Sequence, residues 1–306
     1  MNINIFQSGM FVVKEDIIDH KDHCPICLNK NKREKVFIIQ KNPLIEMLAC
    51  NNCKGMSASY MPTKKLLDKY YAKYYNNNDL MITFHNPGRF AKHLLKYIKL
   101  NFENKKIKIL DFGGGDGAIS VELAKKIIQK NFRQVEIMLV DYKRDIDLNS
   151  NEGINVIINR NIYDINDNYD IVLASGIIEH IPESNKVINK LMSIINKNGF
   201  FYARTPYMSP FKKIIKGLDI SYPSHVHDLG ASFWNRFINT FKFNNLEVIA
   251  SQPSIVETQF SKAFLLTLNS YLFKFPAFLE SRIFKFKKDL IWNYYGGWEI
   301  FLKNHS

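Results

Sequence analysis

The pattern of apolar positions changes partway along the chain. From residue 106 onwards, short apolar runs predict strands at 106–112, 135–141, 154–159, 169–174 and 199–205, with helices at 116–130 and 183–197 between them. The runs at 107–110 and 171–174 are largely apolar, as are strands that a parallel sheet buries on both faces. The pattern therefore predicts an α/β fold with a doubly wound, mostly parallel sheet.

The flanking segments complete this picture. We expect helices at 64–78, 89–102 and 230–243, and two further strands at 246–250 and 298–303, which bring the sheet to seven strands. Residues 260–292 are rich in Phe, Leu and Lys, and Pro276 predicts a break into two amphipathic helices. Their apolar side chains could form buried core, a dimer face, a lid over a substrate, or a basic surface on a membrane. These side chains include Leu265, Leu266, Leu268, Tyr271, Leu272, Phe273 and Phe275.

Length, charge and hydropathy indicate the size of the protein, the charge of its partner and its location in the cell. The 306 residues suffice for one α/β domain and a smaller module, and the net charge of +13 favours an anionic partner. That partner could be a nucleotide-sugar, a phosphorylated lipid, a nucleic acid or a membrane face. No apolar run approaches the roughly 18 residues of a membrane span, and the start resembles no secretory signal. We therefore expect a cytoplasmic protein.

A glycine-rich turn follows the first strand of the α/β part. Residues 109–120 read Ile-Leu-Asp-Phe-Gly-Gly-Gly-Asp-Gly-Ala-Ile-Ser, with Gly113, Gly115 and Gly117 in the turn. Such a turn lets the backbone approach a ligand at a helix N-terminus, and it also satisfies a loose dinucleotide fingerprint. Asp111 favours S-adenosylmethionine (SAM), because a carboxylate there would repel a pyrophosphate and attract the cationic cofactor.

A second acid fits the same cofactor. Asp141 closes the second strand of this part, 24 residues after Gly117. At that place a carboxylate can accept hydrogen bonds from both ribose hydroxyls. We expect Tyr142 to flank the adenine, and Asn161 and Ile162 to meet its edge and face.

These residues make the chain resemble the class I SAM-dependent methyltransferases. Tyr169–Pro182, with its Glu-His-Ile ending, and Pro223–Ile238 are similar to segments of the branch that methylates small molecules and sugars. The resemblance spans about residues 85–255. It implies a Rossmann-like methyltransferase fold with SAM as cofactor.

Methyl transfer to a hydroxyl requires a base near the sulfonium. His180 and Glu179 follow the fourth strand and His225 follows the fifth, so we predict these three as catalytic, with His227 as the next candidate. Ser175 is expected to touch the cofactor. Two alternatives remain open: the histidines could be structural, or Glu179, His180 and His225 could bind a divalent ion that holds a diol substrate.

All four cysteines lie in two Cys-x-x-Cys pairs, Cys24–Cys27 and Cys50–Cys53, separated by a predicted strand at 35–40. This spacing predicts a structural zinc ion bound by four thiolates. The module resembles the N-terminal zinc-binding domain of sugar and natural-product methyltransferases. The module could instead bind RNA, although Phe37 is the one aromatic residue at 28–49 on which a base could stack.

We accordingly divide the chain into a zinc module (1–60), a helical connector (61–104) and a methyltransferase domain (105–306) with an insertion at 257–295. The expected function is O-methylation of a nucleotide-linked sugar or a surface-glycan intermediate. The alternatives are an RNA methyltransferase and a non-catalytic methyltransferase-like subunit. We expect an anionic small-molecule or glycan substrate rather than nucleic acid; a homodimer and peripheral membrane contact both remain open.

Overall fold

The computed structural model describes residues 9–75, 86–100, 106–130, 134–141, 152–256, 264–284 and 289–306. The strands are β1 (Ile17–Asp19), β2 (Glu34–Gln40), β3 (Ile45–Ala49), β4 (Met56–Ala58), β5 (Tyr60–Pro62), β6 (Lys106–Phe112), β7 (Gln134–Val140), β8 (Ile154–Asn159), β9 (Tyr169–Ser175), β10 (Ile195–Tyr207), β11 (His227–Asp228), β12 (Leu246–Pro253) and β13 (Gly296–Asn304). The helices are α1 (Lys64–Tyr75), α2 (Pro87–Tyr97), α3 (Ala118–Ile128), α4 (Ser184–Ser193), α5 (Ser209–Ile214), α6 (Ala231–Phe241) and α7 (Phe264–Ile283).

The main sheet has seven strands in the order β12-β13-β10-β9-β6-β7-β8. The five strands from β10 to β8 are parallel, while β13 runs antiparallel to both β10 and β12. The predicted doubly wound, mostly parallel seven-stranded sheet is thus confirmed. Since ligands of open parallel sheets bind beyond the carboxyl ends of the strands, this edge is where the site is expected.

The two faces of the sheet bury different cores. Alternate residues of β6 belong to different cores: Leu110 lies in the core that also contains Trp234 of α6, whereas Ile109 lies in the core that contains Phe90 of α2 and Leu123 of α3. This period-two separation explains why the strand is apolar on both faces.

A buried carboxylate ties α2 to the sheet. Glu299 of β13 is fully buried and meets His93 Nε2 of α2 at 2.8 Å, the Tyr202 hydroxyl at 3.0 Å and the Gln252 side-chain amide at 2.8 Å. A buried acid is tolerated when it is fully hydrogen-bonded, as here. The network therefore joins α2, β10, β12 and β13.

The N-terminal part contains a two-stranded antiparallel sheet of β1 and β5, and its larger sheet includes a strand from outside this part. Strands β2, β3 and β4 are extended by β11, which belongs to the segment after β10, in the order β11-β4-β3-β2. The side-chain amide of Asn185 on α4 also donates to the Ile26 carbonyl at 2.8 Å. The division into module, connector and domain stays a prediction, and parts of the connector lie outside the described residues.

The expected break at Pro276 is wrong, and of the alternatives for the apolar residues of the insertion, the buried core does not hold. Residues 264–283 form one helix with Pro276 inside it, because Pro removes a single backbone donor and the helix continues on both sides. The apolar residues of this helix are also not core, since the predicted Leu265, Leu266, Leu268, Leu272, Phe273 and Phe275 are exposed.

Candidate functional site

The glycine loop sits between β6 and α3. Gly113, Gly115 and Gly117 all have positive φ, between 61° and 73°, which side chains with a Cβ rarely adopt. Gly114 has no room either, because a Cβ there would overlap the Asp111 carboxyl and the Leu139 side chain. The loop thus requires its glycines for both conformation and space.

Both predicted cofactor acids lie at this loop. Asp141 Oδ2 accepts a hydrogen bond from the Gly115 amide at 2.9 Å. Asp111 is buried, and among the described residues its Oδ2 has no hydrogen-bond partner. Burial raises the pKa of Asp111 to about 7, reinforced by the charges of Asp141 and Asp116, while a hydrogen bond with Ser120 opposes the rise. A buried, unsatisfied carboxyl is suited to a cationic ligand.

The other residues predicted to contact the cofactor make hydrogen bonds or packing contacts within the protein. Asn161 uses its side chain to cap the turn that follows it, accepting from the Tyr163 amide at 3.2 Å and donating to Asp164 at 2.9 Å. Ile162 is buried in the core. Ser175 accepts from Arg204 Nε at 3.2 Å. Tyr142 lies outside the described residues, and the roles of all these residues stay predictions.

The three predicted catalytic residues come together beyond the carboxyl end of β9. One ligand-type atom from each of Glu179, His180 and His225 lies within 4.8 Å of the others, and the two imidazole rings are 4.6 Å apart. The cluster borders the glycine loop, because Ile177 occupies the space that a Cβ on Gly113 would need. These residues lie on two loops that are separate in the sequence, and the fold brings the two loops into contact.

Burial sets the charge of this cluster. It raises the pKa of Glu179 to about 7 and lowers the pKa of His180 to about 4. The pKa of His225 falls well below its usual value through burial and the nearby His180. Both imidazoles are therefore neutral at pH 7, and each keeps a lone pair.

The backbone orients the two rings. His180 Nδ1 lies 3.0 Å from the Ser224 carbonyl, the ring also makes a backbone hydrogen bond to Gly176, and Nε2 lies 3.8 Å from Glu179 Oε1. His225 makes a backbone hydrogen bond to Ile220. The second oxygen of Glu179 is buried without a partner among the described residues. Such an acceptor-rich cluster, with histidines held by carbonyls, fits a divalent cation or a proton donor.

His227, the next candidate base, has a structural role instead. It is 1% exposed, and its Nδ1 meets the Ser57 hydroxyl at 3.0 Å while its Nε2 meets the Ile181 carbonyl at 2.8 Å. With both nitrogens engaged and no access to solvent, the ring has no position left for a substrate proton. It connects β4 of the N-terminal part to the loop that carries Glu179 and His180.

The four cysteines converge as predicted. Sγ of Cys24 lies 3.8 Å from that of Cys53, and Cys27 lies 3.7 Å from Cys50. A disulfide needs about 2.05 Å, whereas tetrahedral Zn–S bonds of about 2.3 Å place sulfurs about 3.8 Å apart. The four thiols thus have the geometry of a zinc site. Two strands, β2 and β3, separate the pairs where the sequence had indicated one.

Sequence reasoning did not single out Arg33, which lies between the two cysteine pairs. Arg33 is 5% exposed, and the charges of Cys24, Cys50 and Cys53 support its protonated form while burial lowers its pKa. Four thiolates around Zn²⁺ would carry a net charge of −2, part of which a buried guanidinium beside them would compensate. No pattern in the sequence distinguishes this arginine from its exposed neighbours.

A cavity of about 310 Å³ opens beside the end of β10. Val36 and Met56 line it from the N-terminal part, Tyr207 and Lys213 from β10 and α5, and Tyr294 from the segment before β13. This volume lies at the lower end of the range for small-molecule sites, about 300–1,000 Å³. The cavity was not predicted, because its walls come from segments far apart in the sequence.

Comparisons with known proteins agree with this geometry. A family model described as a methyltransferase domain matches residues 83–251. The plantazolicin methyltransferase BpumL, solved with a pentazolic desmethylPZN analog and SAH, covers 79% of this chain and 93% of its own at 16% identity, with a TM-score of 0.50. Coclaurine N-methyltransferase, bound to N-methylheliamine and SAH, matches over 71% of this chain and 70% of its own at 13% identity, with a TM-score of 0.41.

One curated relative, "Probable polyketide synthase 5" of Dictyostelium discoideum, is 28% identical over 174 residues. The match takes in 47% of this chain but only 7% of the relative, so the relative as a whole says little about this protein. The family model, by contrast, covers more than half of the chain. This chain belongs to the methyltransferase domain family and carries a class I SAM-dependent methyltransferase domain.

Proposed function

We propose that this chain transfers the methyl group of SAM to a hydroxyl of a sugar, either linked to a nucleotide or part of an unfinished surface glycan. The observation that supports this is the cluster of Glu179, His180 and His225 beside the cofactor loop. A hydroxyl is a poor nucleophile until its proton is removed, and this cluster offers neutral imidazoles and a carboxyl group with a raised pKa.

The reaction is an in-line displacement at the methyl carbon. The carbon–sulfur bond of SAM breaks, a carbon–oxygen bond forms, and S-adenosylhomocysteine (SAH) leaves as the thioether. The hydroxyl proton passes to a lone pair of His180 or His225. Glu179, when ionised above pH about 7, stabilises the imidazolium that forms.

As an alternative to proton transfer to a ring, the same cluster would hold a divalent ion through Glu179, His180 and His225, whose ring lone pairs would then bind the ion. Such an ion, when bound, supplies Lewis-acid activation of the hydroxyl. The cysteine site has a separate role, because four thiolates leave no open position for substrate; a zinc ion there would be structural.

The cavity beside β10 supports a sugar acceptor. Tyr207 and Tyr294 offer aromatic surface for a sugar ring, and the Lys213 ammonium can meet a phosphate of a nucleotide. By contrast, Phe37 is the one aromatic residue at 28–49 that could stack a base, and Arg33 is buried rather than available to a phosphate backbone.

The test is an assay with SAM carrying a labelled methyl group against a panel of nucleotide sugars, a polyprenyl-linked glycan and total RNA. We expect a methyl ether on a sugar, and a fall in kcat of about 10²-fold or more in at least one of His180→Gln and His225→Gln, with unchanged affinity for SAH. His305→Gln is the matched control, because His305 is exposed and distant in sequence. Labelled RNA alone, or a wild-type kcat in both His180→Gln and His225→Gln, would refute the proposal.

Metal dependence is measured on the same enzyme. Activity lost after a chelator and regained with Mg²⁺ or Mn²⁺ would assign an ion to the cluster. Activity unchanged by the chelator would assign the proton transfer to the histidines alone.

A further inference from the structure

The polarity of α7 is reversed relative to an ordinary surface helix. Its buried residues are Thr267, Lys274, Ala277 and Ser281, and the three polar ones recur every seven residues and so form one stripe. The opposite side is apolar and exposed. Its members, together called the outer face, are Phe264, Leu265, Leu266, Leu268, Leu272, Phe273, Phe275, Leu279 and Ile283.

Polar contacts hold the inner stripe against the protein. The Lys274 ammonium donates to the Ser254 carbonyl beyond β12, and Arg89 of α2 donates to the Tyr271 hydroxyl at 3.0 Å. These contacts fix which side of the helix faces inward. The orientation of α7, with the outer face directed away from the protein, is therefore fixed by these hydrogen bonds.

The outer face continues towards a basic segment. The ring centroids of Phe273 and Trp292 are 6.4 Å apart in a tilted arrangement. Edge-on pairs continue from Trp292 to Tyr294 at 5.5 Å and from Tyr294 to Phe211 of α5 at 5.6 Å between centroids. Beside Phe211 in α5 and the turn after it, Lys213, Ile214 and Lys216 are exposed. Aromatic rings thus connect a broad apolar face to exposed cations.

We propose that the outer face of α7 and the lysines of α5 dock this protein on an anionic lipid surface. The arrangement is that of an interfacial helix, with apolar side chains directed to the acyl region and cations at the headgroups. Trp292 and Tyr294 lie where amphipathic rings favour the membrane–water boundary. No helix among the described residues qualifies as a membrane span, so the contact is peripheral.

Charge favours lipid over a second copy of the chain. Between residues 264 and 284 the sole acid is Glu280, whose carboxylate accepts the backbone amide of Ile291 at 2.8 Å. A two-fold dimer would bring the same basic segment of each copy towards the other, with no exposed acid on α7 to compensate. An anionic bilayer complements both the lysines and the net charge of +13.

The position of the cavity fits this proposal. Ile291, which is 87% exposed, lines the cavity beside β10 together with Lys213. A protein docked through α7 would thus hold that opening near the membrane surface, where a lipid-carried acceptor is available. Docking itself is independent of the reaction chemistry.

The experiment is flotation of the full chain with vesicles of phosphatidylcholine, with or without phosphatidylglycerol. We expect flotation with anionic vesicles only, weakened by added salt, and at least tenfold weaker partitioning for the double variant Leu265→Glu/Leu272→Glu. The Lys213→Gln/Lys216→Gln variant should also lose binding. Phe11→Glu is the matched control, because Phe11 is 68% exposed in a segment remote in sequence from α7, and it should bind like wild type.

Retained SAH binding shows that each variant is folded. Flotation unchanged in Leu265→Glu/Leu272→Glu would overturn the proposal. So would a wild-type dimer that fails to float and that the same substitutions dissociate, because the outer face would then be covered by a second copy.

Discussion

Asp111 gives the sharpest test of the cofactor site. Its carboxyl is buried beside the glycine loop, and burial raises its pKa to about 7 in the free protein. The cationic amino group of SAM or SAH favours the ionised carboxylate, so binding should release the proton. We therefore expect the affinity for SAH to rise with pH. The test compares this pH dependence in the wild type and in Asp111→Asn.

The magnitude follows from the pKa. If the bound carboxylate is fully ionised, the dissociation constant scales with one plus the ratio of protonated to ionised free protein. With a pKa of about 7 this factor is about 11 at pH 6 and about 1.1 at pH 8, so affinity should change about tenfold, or about 1.4 kcal/mol. Burial disfavours the ionised form of Asp111 in the folded protein, so its folded pKa lies above its unfolded value. The free protein therefore loses stability as the pH rises from about 4 through about 7.

The assay is isothermal titration with SAH, which has no methyl group to transfer, in buffers of different ionisation enthalpy. Wild type should release close to one proton at pH 6, while Asp111→Asn should bind more weakly and with no pH dependence between 6 and 8. Glu179→Gln is the control, because Glu179 also has a pKa of about 7 yet should leave the slope intact. A slope that survives in Asp111→Asn and vanishes in Glu179→Gln would refute the assignment.

Three further outcomes are expected. Cys24→Ser with Cys27→Ser should reduce bound zinc from one per chain to none and lower Tm, as metal analysis and calorimetry will show; zinc absent from the wild type would contradict the four-thiolate site. His227→Ala should lower the free energy of unfolding in urea by about 3 kcal/mol, since it leaves Ser57 and the Ile181 carbonyl without partners, whereas His305→Ala should change it little. Gly114→Ala should weaken SAH binding at least tenfold because its Cβ overlaps Asp111, while Gly88→Ala, where a Cβ first meets the flexible Glu122 side chain, should not.

Local sequence patterns predicted most strands of the main sheet and the residues that follow the carboxyl ends of these strands. The strands at 106–112 and 154–159 match β6 and β8 in both bounds. A strand buried on both faces carries a strong apolar signal, and residues that follow such strands gather at one edge by topology alone. For this reason Glu179, His180 and His225 could be grouped from sequence.

Residues whose role depends on a distant partner could not be predicted in this way. His227 and His225 are two positions apart and look alike in the sequence, yet one is closed between Ser57 and Ile181 while the other faces Glu179 and His180. The difference comes from β11 pairing with β4, a contact across about 170 residues. Arg33 is a similar case, because its burial follows from the convergence of two cysteine pairs.

Helix α7 shows a different limit of sequence patterns. An apolar stripe indicates which side of a helix avoids water in isolation, and the usual inference places that side in the core. Here Lys274 and Tyr271 have partners on the protein, at Ser254 and Arg89, so the polar stripe satisfies its hydrogen bonds by facing inward. The apolar residues must then face outward, and the free energy that their burial would provide is available to an external partner. A helix with this reversed polarity is an interaction surface, and the neighbouring lysines of α5 determine the charge that its partner should carry.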